Sequence, residues 1–278
     1  MNIDRKTADA LYRINFGAFA YAAYEVVHPH EPLCPNWHID CICHYLAAME
    51  GERLRKRLVM NLPPRSLKSY LVSVAWVAWL LGRKPSLRII CASYSEQLAY
   101  KFSRDCRALM ESQFYKRIFP TRLNPKKSTE AEFETTKRGS RLATSVGGTL
   151  TGRGGDVFII DDPTKANDAN SQVALEAANE WFRNSARSRL NSQSKSLVVV
   201  TQQRLHAKDL SGTLIDSGWP SLVIPAVAIE TQNYAVADGE VYRRPSGELL
   251  QPDRDGPDTI EEIKREVGSR IFANTSKT

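Results

Sequence analysis

Apolar positions along the chain gather into short continuous runs, "RLVMNL", "LRIICAS", "DVFIID", "SLVVVT" and "SLVIPA". Runs of this length, rich in Val, Ile and Leu, predict strands covered on both faces. Between them, helical spacing predicts helices over Tyr70 to Gly82, Glu96 to Met110 with Ser95 as N-cap, Gln172 to Leu190, and Asp209 to Ser217. Such alternation predicts a mostly parallel sheet with helices on both sides. Ahead of it, "KTADALYRINFGAFAYAAYEVV" predicts one helix from Lys6 to Val27, halted by "HPHEP". A second helix is predicted from Trp37 to Glu50, with Asn36 as N-cap and Gly51 just past its end. Residues Ala131 to Ser145 alternate polar and apolar, as in a solvent-facing hairpin. Beyond Glu230 the periodicity fades, and "PSGELLQPDRDGPD" reads as a turn-rich linker. The predicted division is a helical segment over 1–50, an α/β core over 51–228 and a linker over 229–278.

At 278 residues, 42% of them hydrophobic, the chain can bury a sizeable core. Its longest apolar run, Tyr70 to Gly82, is too short to cross a bilayer, and its start lacks the pattern of a secretory signal. Five cysteines, an odd number, suggest no disulfide framework and a reducing compartment. The net charge of +7 suits a polyanionic partner. Basic residues fall in short groups, Arg53 to Arg57, Arg122 to Lys127 and Lys137 to Arg141, which favours a folded surface over a disordered arm.

The candidate chemistry begins after the first strand. In "LPPRSLKS", Lys68 and Ser69 hold the last two places of a phosphate-binding GxxxxGK[ST] loop and open a helix whose N-terminus favours an anion. Leu62 and Leu67 stand at the two glycine positions, where glycine's tolerance of positive φ is useful. Taken alone, the stretch also reads as a Pro-Pro turn before a core helix. A nucleotide site needs a carboxylate for Mg²⁺ and a group that orients water. "DVFIIDDP" supplies Asp161 and Asp162 at a strand end, the edge where ligands gather in parallel sheets. A DD pair there also fits a simple turn before Pro163. In "TSVGGTLTGRGGD", glycines flank Arg153, a flexible setting for a guanidinium aimed at phosphate, or an ordinary surface loop.

Together these residues resemble the large terminase subunits of tailed phages. The resemblance runs from about Trp37 to the end, through "PPRSLKS", "CASYSEQLAYKFSRDCRALMES", the glycine-rich run into "IIDDP", "VVVTQQRLHAKDLSG", "IPAVAIE" and "GELLQPDR", in that order. It implies a P-loop NTPase fold of the ASCE/RecA-like kind and an ATPase motor that moves double-stranded DNA into a procapsid. It implies that ATP and Mg²⁺ are held by the loop Pro64, Arg65, Ser66, Leu67, Lys68 and Ser69, with Ser69 and Asp161 on the metal. Asp162 would be the catalytic carboxylate, and Arg153 or Arg65 the arginine finger. Thr201 would couple nucleotide state to DNA movement, and Trp37 and His38 lie where members contact adenine. The implied partners are DNA, the portal protein, the small terminase subunit and further copies in a ring, five by expectation, in the host cytoplasm.

Members typically carry a glycine before the lysine and many carry Glu in place of Asp162. They also continue into an RNase H-like nuclease domain, whereas this sequence stops at "SRIFANTSKT", so no cleavage is expected of it. Two other readings fit parts of the pattern. One is a helicase-like DNA-dependent ATPase, which needs a second RecA-like domain. The other is a non-hydrolysing packaging regulator with a degenerate loop.

Overall fold

A computed structural model describes residues 4–51 and 56–267. Its centre is an eight-stranded sheet in the order β3-β4-β5-β2-β6-β7-β1-β8. The strands are β1 (Arg57–Asn61), β2 (Arg88–Ser93), β3 (Leu123–Ser128), β4 (Glu132–Thr135), β5 (Ser140–Ser145), β6 (Val157–Asp161), β7 (Leu197–Gln202) and β8 (Ser221–Val223). All neighbours from β5 to β8 run parallel, whereas β3 and β4 join antiparallel. The fold is thus α/β with a mostly parallel sheet between helices, as the apolar runs predict. β7 lies between β1 and β6.

Side chains of the central strands alternate between two cores, because successive residues of a strand point to opposite faces. Leu58, Met60, Ile89, Cys91, Ile159 and Val199 pack on one face. That face is covered by α1 (Arg5–Ile14), α2 (Phe16–Val27), α3 (Trp37–Glu50), α4 (Trp76–Arg83), α5 (Glu96–Glu111) and α6 (Gln113–Ile118). Val59, Ile90, Phe158, Ile160, Val198 and Val200 face α7 (Gln172–Trp181) and α8 (Leu210–Asp216). Covered strands need no polar positions, which is why they read as uninterrupted apolar runs.

Four segments differ from the sequence expectation. The helix over Lys6 to Val27 is broken at Asn15, whose side chain accepts the Ala18 N–H at 2.8 Å and starts α2 afresh. The helix over Gln172 to Leu190 continues past α7 only as a π-helical turn, Phe182–Ala186, and a 3₁₀ turn, Arg187–Arg189. The hairpin over Ala131 to Ser145 is not solvent-facing: β5 pairs in parallel with β2, and Phe133 and Arg141 are fully buried. The supposed linker past Glu230 forms an antiparallel hairpin, β9 (Gln232–Ala237) and β10 (Glu240–Arg244), followed by α9 (Pro257–Val267). Its aromatic residues explain the hairpin. Tyr242 stacks on Trp37 of α3 at 4.6 Å between ring centroids, and Tyr234 lies 4.9 Å away.

Gly82 sits in α4 against Phe119, and a Cβ there would lie 2.6 Å from the ring's Cγ. Because Phe119 is itself buried, Gly82→Ala is expected to cost about 1–3 kcal/mol through overpacking. Urea unfolding measures this directly, and an unchanged midpoint would mean that the ring yields freely.

Candidate functional site

The loop after β1 turns back over the C-terminal edge of the sheet and leads into a π-helical turn, Tyr70–Ala75, that runs on into α4. Arg65 and Leu67 both take left-handed backbone, with φ of 58° and 61°. A residue with a Cβ is disfavoured there by about 1–2 kcal/mol, so the surrounding structure must hold it. Three contacts do so. Ser66 Oγ donates to the Pro63 carbonyl at 2.8 Å, Arg254 Nη1 donates to the Arg65 carbonyl at 2.6 Å, and Leu67 packs partly against the main core. The loop therefore keeps the left-handed turns that glycine usually supplies, with leucine at the position before the lysine. Strained residues of this kind cluster at ligand clamps, and turns that alternate in hand aim backbone N–H groups into an anion-binding concavity.

Lys68, Ser69, Asp161 and Asp162 come together. Lys68 Nζ is 3.2 Å from Asp162 Oδ2, with the lysine buried. Ser69 Oγ donates to Asp161 Oδ1 at 3.1 Å, and Ser73 Oγ donates to Asp161 Oδ2 at 2.9 Å. Burial, and then the neighbouring Asp162, push Asp161 up from 3.8 to about 7, while Lys68 and the two serines pull it back. Asp162 is the third left-handed residue of the site, at φ 48°. Its N–H donates to Thr201, its carbonyl accepts from Tyr94, and its Oδ1 accepts the Gln203 N–H at 3.0 Å. The ends of both flanking strands thus fix its backbone, and the β7 end also fixes its carboxylate. Thr201 is fully buried in β7, in register with Asp161, and its hydroxyl has no hydrogen-bond partner.

Beside the loop opens a cleft of about 520 Å³, within the range of small-molecule sites. Its walls include Arg65, Lys68, Ser69, His28, Lys101 and Phe102. Pro64 and Arg65 are exposed on the loop. Two expected residues stand elsewhere. Trp37 does not line the cleft, because its ring is engaged by Tyr234, Tyr242 and the Arg244 guanidinium. Arg153 pairs with Glu132 of β4 at 2.7 Å and does not line the cleft. His38 is fully buried behind the loop, near the Ser66 backbone. A larger cavity, about 570 Å³ between α2, α3 and β9, holds none of these groups.

Sequence reasoning missed Ser73, the Gln203 N–H and Arg254. Ser73 could have been found, since a residue four beyond Ser69 shares its helix face. The Gln203 and Arg254 contacts are made by or to the backbone, and no side-chain pattern signals them.

No family profile matches the chain, and no curated protein matches it in sequence. Solved structures do. The large terminase of bacteriophage HK97 superposes with a TM-score of 0.50 at 14% identity, over 73% of this chain and 41% of that one. A mutant ATPase domain of the Thermus phage P74-26 large terminase superposes with a TM-score of 0.50 at 12% identity, over 91% of this chain and 95% of that one. This chain therefore spans well under half of the HK97 protein and nearly all of the P74-26 domain. The fold is the α/β fold of those terminase ATPase domains, at a sequence distance where only the fold is shared visibly.

Burial holds His38 down at about 4, with Arg244 and Arg254 adding to the effect and Ser66 opposing it. An unfolded histidine titrates near 6.5, so below that pH the unfolded chain takes up a proton that the folded chain refuses. Stability is expected to fall as pH drops from 6.5 towards 4, by about 3 kcal/mol at most. Urea midpoints at about pH 7 and about pH 4.5 in wild type and His38→Leu test this. Equal acid sensitivity in the two would place the titration elsewhere.

Proposed function

We propose that this chain is an ATP-hydrolysing motor domain of the terminase type, which uses ATP to move double-stranded DNA. The observation that carries the reading is the Lys68–Asp162 contact, with Asp161 bonded to Ser69 and Ser73 beside a loop turned left-handed at Arg65 and Leu67. A Pro-Pro turn capping a core helix has no need of a buried lysine, two acids and two left-handed side-chain-bearing residues at one point.

The residues fit the chemistry. The loop N–H groups and the start of the following helix favour the phosphates. Lys68 supplies a compact charge for the terminal phosphate. As that phosphate engages Lys68, Asp162 Oδ2 becomes free to orient the attacking water, while Oδ1 stays on the Gln203 N–H. The Ser69 hydroxyl and the Asp161 carboxylate are hard oxygen donors of the kind Mg²⁺ takes, so these two would hold it. When bound, Mg²⁺ supplies charge neutralisation on the phosphate oxygens. Catalysis is then mostly positioning and electrostatics.

The base of the nucleotide fits the cleft walled by His28 and Phe102, which replaces Trp37 as the aromatic side of the site. Arg153, exposed and outside the cleft, suits a finger offered to a neighbouring copy, whereas Arg65 suits a role within its own site. The ring of copies, the portal, the small subunit and the host cytoplasm rest on the terminase resemblance. Among the described residues no helix is long and apolar enough to cross a membrane.

Phosphate release with Mg²⁺ and ATP, with and without duplex DNA, is the test. Lys68→Ala and Asp162→Asn are each expected to lower turnover by at least about a hundredfold. Turnover that survives Lys68→Ala would end the assignment of the loop. Absence of saturable ATP binding in the wild type would favour the non-hydrolysing regulator.

A further inference from the structure

The parallel strands end at the Lys68 edge, so all of them begin at the opposite edge, and that edge is strongly basic. Arg88 opens β2, Lys137 and Arg138 precede β5, Lys195 leads into β7, and Arg187 and Arg189 follow α7. Pairing fixes them there: Arg88 lies opposite Ser140, and the Gly155 N–H donates to the Arg189 carbonyl at 2.8 Å. Arg189 is half-buried and the others are exposed. None of these side chains pairs with a carboxylate among the described residues. These six side chains gather six positive charges at one edge, in a chain whose net charge is +7.

Crowding of like charge is visible in detail. The Arg57 guanidinium donates to the carbonyls of Ser196 and Gln193, and burial together with nearby Arg187 draws it below its usual range. In the middle of the edge, a cavity of about 450 Å³ is walled by Lys56, Lys195, Asn191, Ser192 and Ser196. The acids on its wall are already engaged. Glu50 binds Arg83 and Lys84, and Asp156 accepts from the Arg88 N–H and from Asn191.

Basic residues often do no more than complement helix C-termini. That account covers Arg83 and Arg187, but Arg88, Lys137, Arg138 and Lys195 sit on strand starts and turns. From β5 to β1 the edge spans four strand spacings, roughly 19 Å. Phosphates on both sides of a DNA major groove, about 12 Å wide, fall within that span.

We infer that this edge, remote from the nucleotide loop, is the surface that docks the phosphodiester backbone of duplex DNA. The choice of DNA rests on the motor reading and adds to it the face that holds the polymer. Fluorescence anisotropy with a short labelled DNA duplex, titrated without nucleotide over a range of salt, tests it. Two double variants, Lys137→Gln with Arg138→Gln and Arg187→Gln with Lys195→Gln, are each expected to lower the slope of log affinity against log salt by about two. Basal phosphate release should stay as in wild type, which also shows that the variants fold. Unchanged slopes in both variants would overturn the inference. So would an equal effect from Lys126→Gln with Lys127→Gln on β3, or stronger binding to polyglutamate than to DNA. Docking at this edge in a chain that hydrolyses no ATP would keep the inference and sink the motor reading, so the two can fail separately.

Discussion

A lysine ammonium held below the protein surface is the constraint that organises this molecule. Removing such a charge from water costs several kcal/mol unless an opposite charge lies beside it. Asp162 is that charge, 3.2 Å away, and a second carboxylate, Asp161, stands next in the chain. The two acids repel each other, which burial makes worse, and Ser69 and Ser73 relieve Asp161 through its two oxygens. The β1 loop, the end of β6 and the start of the following helix must therefore meet at one point. The parallel order β6-β7-β1 brings them there.

The backbone around that point is strained in three places, none of them glycine. Arg65 and Leu67 turn the loop, and Asp162 turns the chain off the end of β6. Asparagine and aspartate tolerate the left-handed region better than leucine does, because a short polar side chain can bond locally. Leu67 has no such help and leans on the core. Leu67 thus takes a backbone conformation that glycine adopts freely, and neighbouring groups hold it there. The support comes from far along the chain, at Arg254, and from within the loop, at Ser66.

Much of the fold could be read from the chain because covered parallel strands leave a plain signal: β2, β6, β7 and β1 coincide with their apolar runs to within a residue, and β8 lies inside the fifth. Two caps were equally plain: Ser95 and Asn36 each accept a backbone N–H at the helix start. Asn15 carried the same signal but sat inside a long apolar pattern, and periodicity hid the break. The hairpin β9–β10 was hidden for a different reason. Its strands pair only with each other and hold to α3 by a few aromatic rings, so they lack the dense apolar pattern of core strands. Lys68, Ser69, Asp161 and Asp162 were legible as types at a spacing. Trp37 was misleading, since an aromatic near a nucleotide site and an aromatic beneath a hairpin look alike in sequence.

That hairpin bears on where the folding unit stops. Trp37, at the start of α3, shares its ring with Tyr234 and Tyr242, and Asn36 Nδ2 donates to the Leu250 carbonyl at 2.8 Å. A piece cut at Glu230 would strip an aromatic lid from the helix that backs the β1 loop, and it would also lose Arg254. The early helices and the late hairpin form a single clasp on one face of the sheet. Severing either side opens it beneath Lys68.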